Sequence, residues 1–172
     1  MKLALNSDTI YCFDTNALIW LDTYYKQGKV FGPLWDDIDE LLDAERFIII
    51  EEVYEEVFRH EGPQSTWLKN WLKANKKRFI RETDEEAMVQ SRTIIRENKN
   101  TGFIKLAKMS VGQEEADPYL IGHAAVHGYV IVTQESQTAA NRIPKVARKY
   151  EVRAINLLAY LHERGFELKR KE

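Results

Sequence analysis

One cysteine, four prolines and eight glycines in 172 residues leave this chain few of the devices that staple or punctuate a small protein. Cys12 stands alone, so no internal disulfide can form. Within a strand it is expected to act as a small buried hydrophobe. An excess of one charge is missing too: 25 Lys and Arg face 27 Asp and Glu, a formal net charge of −2. Such a chain is no polycation, and any nucleic acid it holds must meet a local basic surface. No apolar run approaches the roughly 18 residues of a membrane span, and the N-terminus has no signal-peptide pattern. The expectation is a soluble, cytoplasmic protein with no membrane partner. A Gly-rich phosphate loop and Ser-His-Asp or Cys-His arrangements are absent, which argues against nucleotide-dependent and acyl-transfer chemistry. No repeat, low-complexity tract or linker divides residues 1–172, so one domain is expected.

What is present is an alternation. Short apolar runs stand at Ile10–Phe13, Phe47–Ile50, Tyr129–Val132 and Arg153–Ile155. None alternates cleanly with polar residues, as befits parallel strands buried on both faces. Amphipathic stretches separate them: "LWDDIDELLDA", "EEVYEEVFRH", "STWLKNWLKANKK", "DEEAMVQSRTIIREN" and "DPYLIGHAAVHG". The pattern predicts an α/β three-layer sandwich, a central, mainly parallel sheet flanked by helices. "RFIRETDEE" holds a further short strand near Phe79. "NKNTGFIKLAKMSVGQEEAD" reads as a helix between loops or a mobile segment, and "ERGFELKRKE" as a helix end and frayed terminus.

The first strand breaks off in Asp14-Thr15-Asn16 with no Gly or Pro to make the turn. In an open parallel sheet, ligands bind beyond the carboxyl ends of the strands. Asp14 follows the first strand, and Glu51, Glu52, Glu55 and Glu56 open the helix after the second. Asp117 starts the helix that feeds a later strand, and Glu135 follows that strand. Two carboxylates about 4 Å apart repel by about 4 kcal/mol at an effective dielectric near 20. A divalent cation removes that penalty, and oxygen-only ligands suit Mg²⁺ or Mn²⁺. Such an ion supports phosphodiester hydrolysis.

Each residue has a plainer explanation. Asp14 could cap the following helix, and Asp117-Pro118 makes a good Ncap–N1 pair. The glutamates at 51–56 could complement a helix N-terminus, and Glu135 could be a solvated loop residue. Val53, Tyr54, Val57 and Phe58 form the apolar face of their helix, and Glu55 and Glu56 flank it almost symmetrically, so periodicity does not choose between them. Trp67, Leu68, Trp71 and Leu72 read as a core-facing stripe, with Lys69, Lys73, Lys76, Lys77 and Arg78 on or beyond the other side. Arg142, Lys145, Arg148 and Lys149 form a second basic stretch, expected near the acidic rim, where a polyanion needs positive surface. His123 and His127 have zinc-ligand spacing but lack the Glu of His-Glu-x-x-His, and both fall off the apolar face of Leu120, Ile121, Ala124 and Ala125. They are expected to be exposed surface.

Taken together, "FDTNALIW", "VYEEV", "ADPYLIGHAAVHG" and "VIVTQES" resemble the PIN-domain family of metal-dependent nucleases over nearly the whole chain. The closing "RIPKVARKYEVRAINLLAYL" is similar to the end of a small stand-alone, toxin-like prokaryotic branch. The resemblance implies a metal site of Asp14, Glu56, Asp117 and Glu135 holding Mg²⁺ or Mn²⁺, and it favours Glu56 over Glu55. It implies that Thr15 and Asn16 hold the turn and orient Asp14, that Asp117 is a further ligand or positions water, and that Thr133 offers a hydroxyl. Lys145 and Arg148 are expected to contact phosphate. The implied activity is that of an endoribonuclease, with RNA as substrate and an antitoxin protein or a second copy of the chain as partner. The alternatives are a catalytically weak PIN-like module that binds RNA or protein, and a DNA nuclease of the same architecture. The family's last acidic position is commonly Asp after Asn, whereas Glu135 follows Gln134 here.

Overall fold

The apolar runs become strands β1 (Tyr11–Phe13), β2 (Phe47–Ile50) and β4 (Val130–Val132), each buried along its whole length. They belong to a computed structural model that describes residues 8–26, 28–59, 66–104 and 115–167. The short strand expected near Phe79 is β3 (Ile80–Arg81), and β5 (Ala154–Ile155) lies within the last run. Both are half-buried, as suits the two edges of a sheet ordered β3-β2-β1-β4-β5. Every pairing is parallel, with Cys12 opposite both Ile48 and Ile131. The chain builds outward from β1 to β3, then returns to place β4 on the other side of β1. That reversal makes the end of β1 the switch point where open α/β sheets take their ligands.

Eight α-helices occur among the described residues. They are α1 (Thr15–Tyr24), α2 (Gly32–Asp43), α3 (Glu51–Arg59) and α4 (Thr66–Phe79). The others are α5 (Glu85–Asn98), α6 (Asp117–His127), α7 (Ile143–Ala147) and α8 (Leu157–Glu163). The expected helical stretches thus form helices. Residues 105–114, half of the segment read as helix-or-mobile, and 168–172 of the tail lie outside the described residues. No described helix is long and apolar enough to cross a membrane.

Aromatic side chains build one layer. Phe13 stacks on Phe47 with centroids 4.2 Å apart, and Tyr160 of α8 meets Tyr11 and Phe13 edge-on. Trp71 of α4 packs edge-on against Phe47, and Trp35 of α2 against Trp71. Burying each such ring contributes about 1.5–3 kcal/mol. The stripe read in α4 is therefore core, with Leu68 and Leu72 buried and both tryptophans packed against it. Four of the five residues on its basic side are also engaged. Lys69 and Lys73 lie over the Phe58 ring and Lys76 over Tyr54, while Arg78 pairs with Asp39 and Asp43.

Elsewhere α6 packs on β4 and against α5. Gly122 permits the helix pair: a Cβ there would fall 2.2 Å from Ser91 Oγ. At the end of α6, Gly128 takes a φ of 72° and returns its N–H to Ala124, so the chain turns straight into β4.

Candidate active site

Asp14 leaves β1 still tied to the sheet, its N–H donating to Val132 O. The backbone then turns into α1, with Asp14 as N-cap and the Thr15 N–H donating to its Oδ1 at 2.7 Å. The capping reading therefore holds, but it uses one oxygen. Oδ2 accepts the Thr133 hydroxyl at 2.8 Å, across the end of β4. Asp14 is 3 % exposed. Burial pushes it up to about 7, against the pull of the Thr133 hydrogen bond, and the charges of Glu56 and Glu135 push it the same way.

The tie between Glu55 and Glu56 is broken by α1. Thr15 Oγ1 donates to Glu56 Oε2 at 2.6 Å, whereas Glu55 is exposed. Asp117 corrects its capping reading. Ala116 is the N-cap of α6, Asp117 is already helical, and no side chain caps that end. Burial holds the Asp117 carboxyl well above the usual carboxylate range, and the charges of Asp14, Glu135, Glu56 and Glu115 raise it further. The structure thus brings Asp14, Glu56, Asp117 and Glu135 into one another's fields.

The "VIVTQES" segment braces this region. Asn16 Oδ1 accepts the Gln134 N–H at 2.7 Å and faces the Thr133 hydroxyl at 3.3 Å. Gln134 Oε1 in turn accepts the N–H of Leu157, the first residue of α8. Glu135 Oε2 accepts the Ile143 N–H at 2.7 Å, and Oε1 pairs with Arg142 at 3.1 Å. Its carboxylate therefore closes the start of α7. Lys145 is exposed in the first turn of α7. Arg148 instead borders a small cavity with Val152, Arg153 and Ala154 where β5 begins, so the structure does not bring it to the carboxylates.

The donor set is oxygen-only, and among the described residues no Lys, Arg or His pairs with Asp14, Glu56 or Asp117. Nor does any group of three or more described His, Cys, Asp or Glu side chains converge closely enough to hold a metal ion by itself. Sparse carboxylates lacking a counter-charge fit an ion that keeps several waters, as Mg²⁺ does. A large groove lies apart from them. It measures about 960 Å³, is lined mainly by apolar side chains, and runs between the α1–α2 connection and α8.

A second polar group went unread in the sequence. Thr83, just after β3, donates to Glu52 Oε1 and meets His123 Nε2 at 3.0 Å. His123 is 1 % exposed, which overturns the expectation of a surface pair. The reason is that residues 118–124 of α6 are buried on every side, so an amphipathic wheel does not describe it. Burial, with His127 nearby, pulls His123 down to about 4, and burial raises Glu52. Glu52 Oε2 and His123 Nδ1 are buried with no hydrogen-bond partner among the described residues. Gly122 was the available signal, since a glycine within a helix marks close approach of another element. His127 pairs with Asp84, the N-cap of α5.

No curated protein matches this sequence. Solved structures do match in fold. DNA-bound VapBC from Salmonella typhimurium matches with a TM-score of 0.57 at 16% identity, over 86% of this chain and 98% of that one. VapBC-1 from nontypeable Haemophilus influenzae gives 0.57 at 14%, over 87% and 99%. VapBC2 from Rickettsia felis, bound to a DNA fragment from its promoter, gives 0.53 at 16%, over 86% and 98%. The five-stranded parallel sandwich is the PIN-like fold that the motifs imply. Over residues 11–168 the sequence matches one family model, and the chain belongs to that family, described as Domain of unknown function (DUF4411).

Proposed function

We propose that the chain is a Mg²⁺- or Mn²⁺-dependent endoribonuclease acting at Asp14, Glu56, Asp117 and Glu135. The observation that carries this is the elevation of Asp14 and Asp117, two carboxyls raised first by burial and further by neighbouring carboxylates at the switch point of the sheet. A protein gains no stability from such repulsion, and groups perturbed in this way cluster where chemistry is done. A bound divalent cation supplies Lewis acidity to a water and to the scissile phosphate. Asp14 and Asp117 would hold it, with Glu56 on the far side of Thr15.

The chain's own groups do the rest. Thr133 and the Thr15 N–H fix both oxygens of Asp14, so the carboxylate meets its ligand in one orientation. Asn16 locks the start of α1 to the end of β4 and prevents the two from separating under a bound polyanion. Asp117, which carries no capping bond, would be ionised beside a bound cation and would then have an oxygen free to accept the proton of the attacking water. Lys145 offers positive charge to the phosphate backbone near the start of α7.

The toxin role, with an antitoxin protein as partner, is supported by the family resemblance and by the likeness to VapBC structures. A second reading, a binding module without catalysis, has one observation in its favour. Glu135 is engaged by Arg142 and Ile143 instead of facing an open site. The test is incubation of purified protein with RNA and with DNA, with Mn²⁺ and with chelator. Metal-dependent cleavage that fails in Asp14→Asn and Asp117→Asn supports the nuclease. Tight binding without cleavage under any metal removes it in favour of the module. Cleavage of DNA alone replaces RNA as the substrate.

A further inference from the structure

Helix α1 leaves the carboxylate region carrying an aromatic pair on its open side. Trp20 is 41 % exposed and Tyr24 58 %, and they are the only exposed aromatic side chains among the described residues. Their rings stand 4.7 Å apart, tilted by 50°. They follow Asn16 at steps of four residues, so they lie on its side of the helix, about 6 and 12 Å along the axis. Asn16 is fixed to Gln134, which registers this face to the site. The other tryptophans, Trp35, Trp67 and Trp71, pack into the core.

The charge around the pair is distinctive. Between Asn16 and Asp36 the only acidic residue is Asp22, which is buried, whereas Lys26 and Lys29 just beyond Tyr24 are exposed. An otherwise acidic protein thus presents one strip with aromatic faces and positive charge, leading to its carboxylates. Proteins that hold single strands combine these same elements: rings on which bases stack and cations that follow the backbone.

We propose that Trp20 and Tyr24 are a stacking platform for unpaired bases of a single-stranded nucleic acid, with Lys26 and Lys29 contacting its phosphates. The platform delivers the strand to the carboxylates and excludes duplexes, whose base faces are already stacked. The inference rests on the nuclease reading for the identity of the polymer.

The test uses the full chain in an Asp14→Asn background, so that bound RNA survives. Probes are a fluorescent single-stranded RNA, the same sequence as DNA, the blunt RNA duplex, and the RNA strand with abasic positions. Trp20→Ala and Tyr24→Ala should each weaken binding of both single strands by about 5- to 150-fold. Trp20→Phe, which keeps a flat ring, should stay within a few-fold of the parent. The duplex should bind more weakly than the single strand, and with the abasic strand the difference between the parent and Trp20→Ala should vanish. Tryptophan fluorescence should be quenched by the strand in the parent and much less in Trp20→Phe. Equal affinities of parent and Trp20→Ala for single strands, or equal losses on intact and abasic probes, overturn the platform. So does a change of oligomeric state in Trp20→Ala with RNA affinity unchanged, which makes the strip a protein interface. If the wild-type chain cleaves RNA but these variants bind normally, only the platform fails. If the variants lose binding but the wild type never cleaves, the nuclease reading fails and the platform stands.

Discussion

At the end of β1, Asp14 is hemmed in by other carboxylates. At the ends of β2 and β3, Glu52 is met by a threonine hydroxyl and, beyond it, a neutral histidine. Both groups sit at carboxyl ends of strands, and burial is the largest influence on each. The neighbours make the difference. Around Asp14 the other charges are of the same sign, and burial and repulsion add up. Around His123 the imidazole yields by staying neutral, and the Thr83 hydroxyl links it to Glu52. The second arrangement is a polar connection that folding tolerates. The first is an electrostatic deficit that Asp14 relieves by holding a proton, and that a cation would relieve in the proton's place.

Asp14 and His123, one from each region, respond to pH with opposite signs. Asp14 ordinarily titrates near 3.8 and in the fold near 7, so between these values the folded protein holds a proton that the unfolded chain has released. Its contribution to stability is complete below the lower value and is lost as pH rises through about 7. Glu52, also raised, works in the same direction as Asp14. His123 ordinarily titrates near 6.5 and in the fold near 4. Its contribution is complete above the upper value and is lost as pH falls toward the lower.

The largest expected effect separates the regions by activity. Asp14→Asn and Asp117→Asn should each lower RNA cleavage by at least about 10²–10⁴-fold, while His123→Gln cleaves near the wild-type rate. A cleaving Asp14→Asn variant would erase the distinction. Next comes stability in chelator, measured by denaturation across pH. His123→Gln should flatten the acid limb by an amount on the order of 3 kcal/mol, and Asp14→Asn should steepen it by a similar order. Limbs that move in the same direction would show that one of the two assignments of sign is wrong.

Within the acidic region, Glu56→Gln should reduce cleavage by about 10–100-fold, and Glu55→Gln should leave it unchanged. Equal rates for the two would detach Glu56 from the site despite its bond to Thr15. Metal should act on one region alone. If Mg²⁺ binds the folded state with a Kd of about 1 mM, about 10 mM stabilises it by roughly 1.4 kcal/mol. At this chain length that is about 3–6 °C in Tm. The gain should shrink in Asp14→Asn and persist in His123→Gln. The smallest effect concerns the basic stretch. Lys145→Glu should reduce the salt dependence of single-strand binding by about 0.7 in the log–log slope, and Arg148→Glu, beside the cavity at Val152 and Ala154, should not.

The acidic region was largely legible in the sequence because strand ends are local signals. A buried run that stops in Asp14-Thr15-Asn16, or in Thr133-Gln134-Glu135, announces a rim. The difference between Glu55 and Glu56 was not legible from periodicity, because it lies in a hydrogen bond to Glu56 from Thr15, 41 residues away. The Glu52–Thr83–His123 connection was invisible for a related reason. Its members come from three separate elements, and α6 is buried so completely that its polarity pattern carries no direction. The surroundings of Arg148 were not legible either, because the cavity it borders is completed by Val152, Arg153 and Ala154, which follow it in the chain.

Gln134 and Glu135 are each one methylene longer than the Asn and Asp common at these places, and the extra reach ends on two backbone amides, Leu157 and Ile143. Those amides are therefore built-in magnetic-resonance reporters. In an isotope-labelled sample, the Ile143 proton bonded to a charged carboxylate should resonate far downfield and exchange slowly with heavy water. A ligand that recruits Glu135 must break that bond, so the Ile143 signal should move upfield and exchange faster as the site fills. Leu157, bonded to the uncharged Gln134 side chain, should stay in place and serve as the internal control. Titrating Mn²⁺ would blur both signals by paramagnetic relaxation, so Mg²⁺ is the ion with which to watch them part.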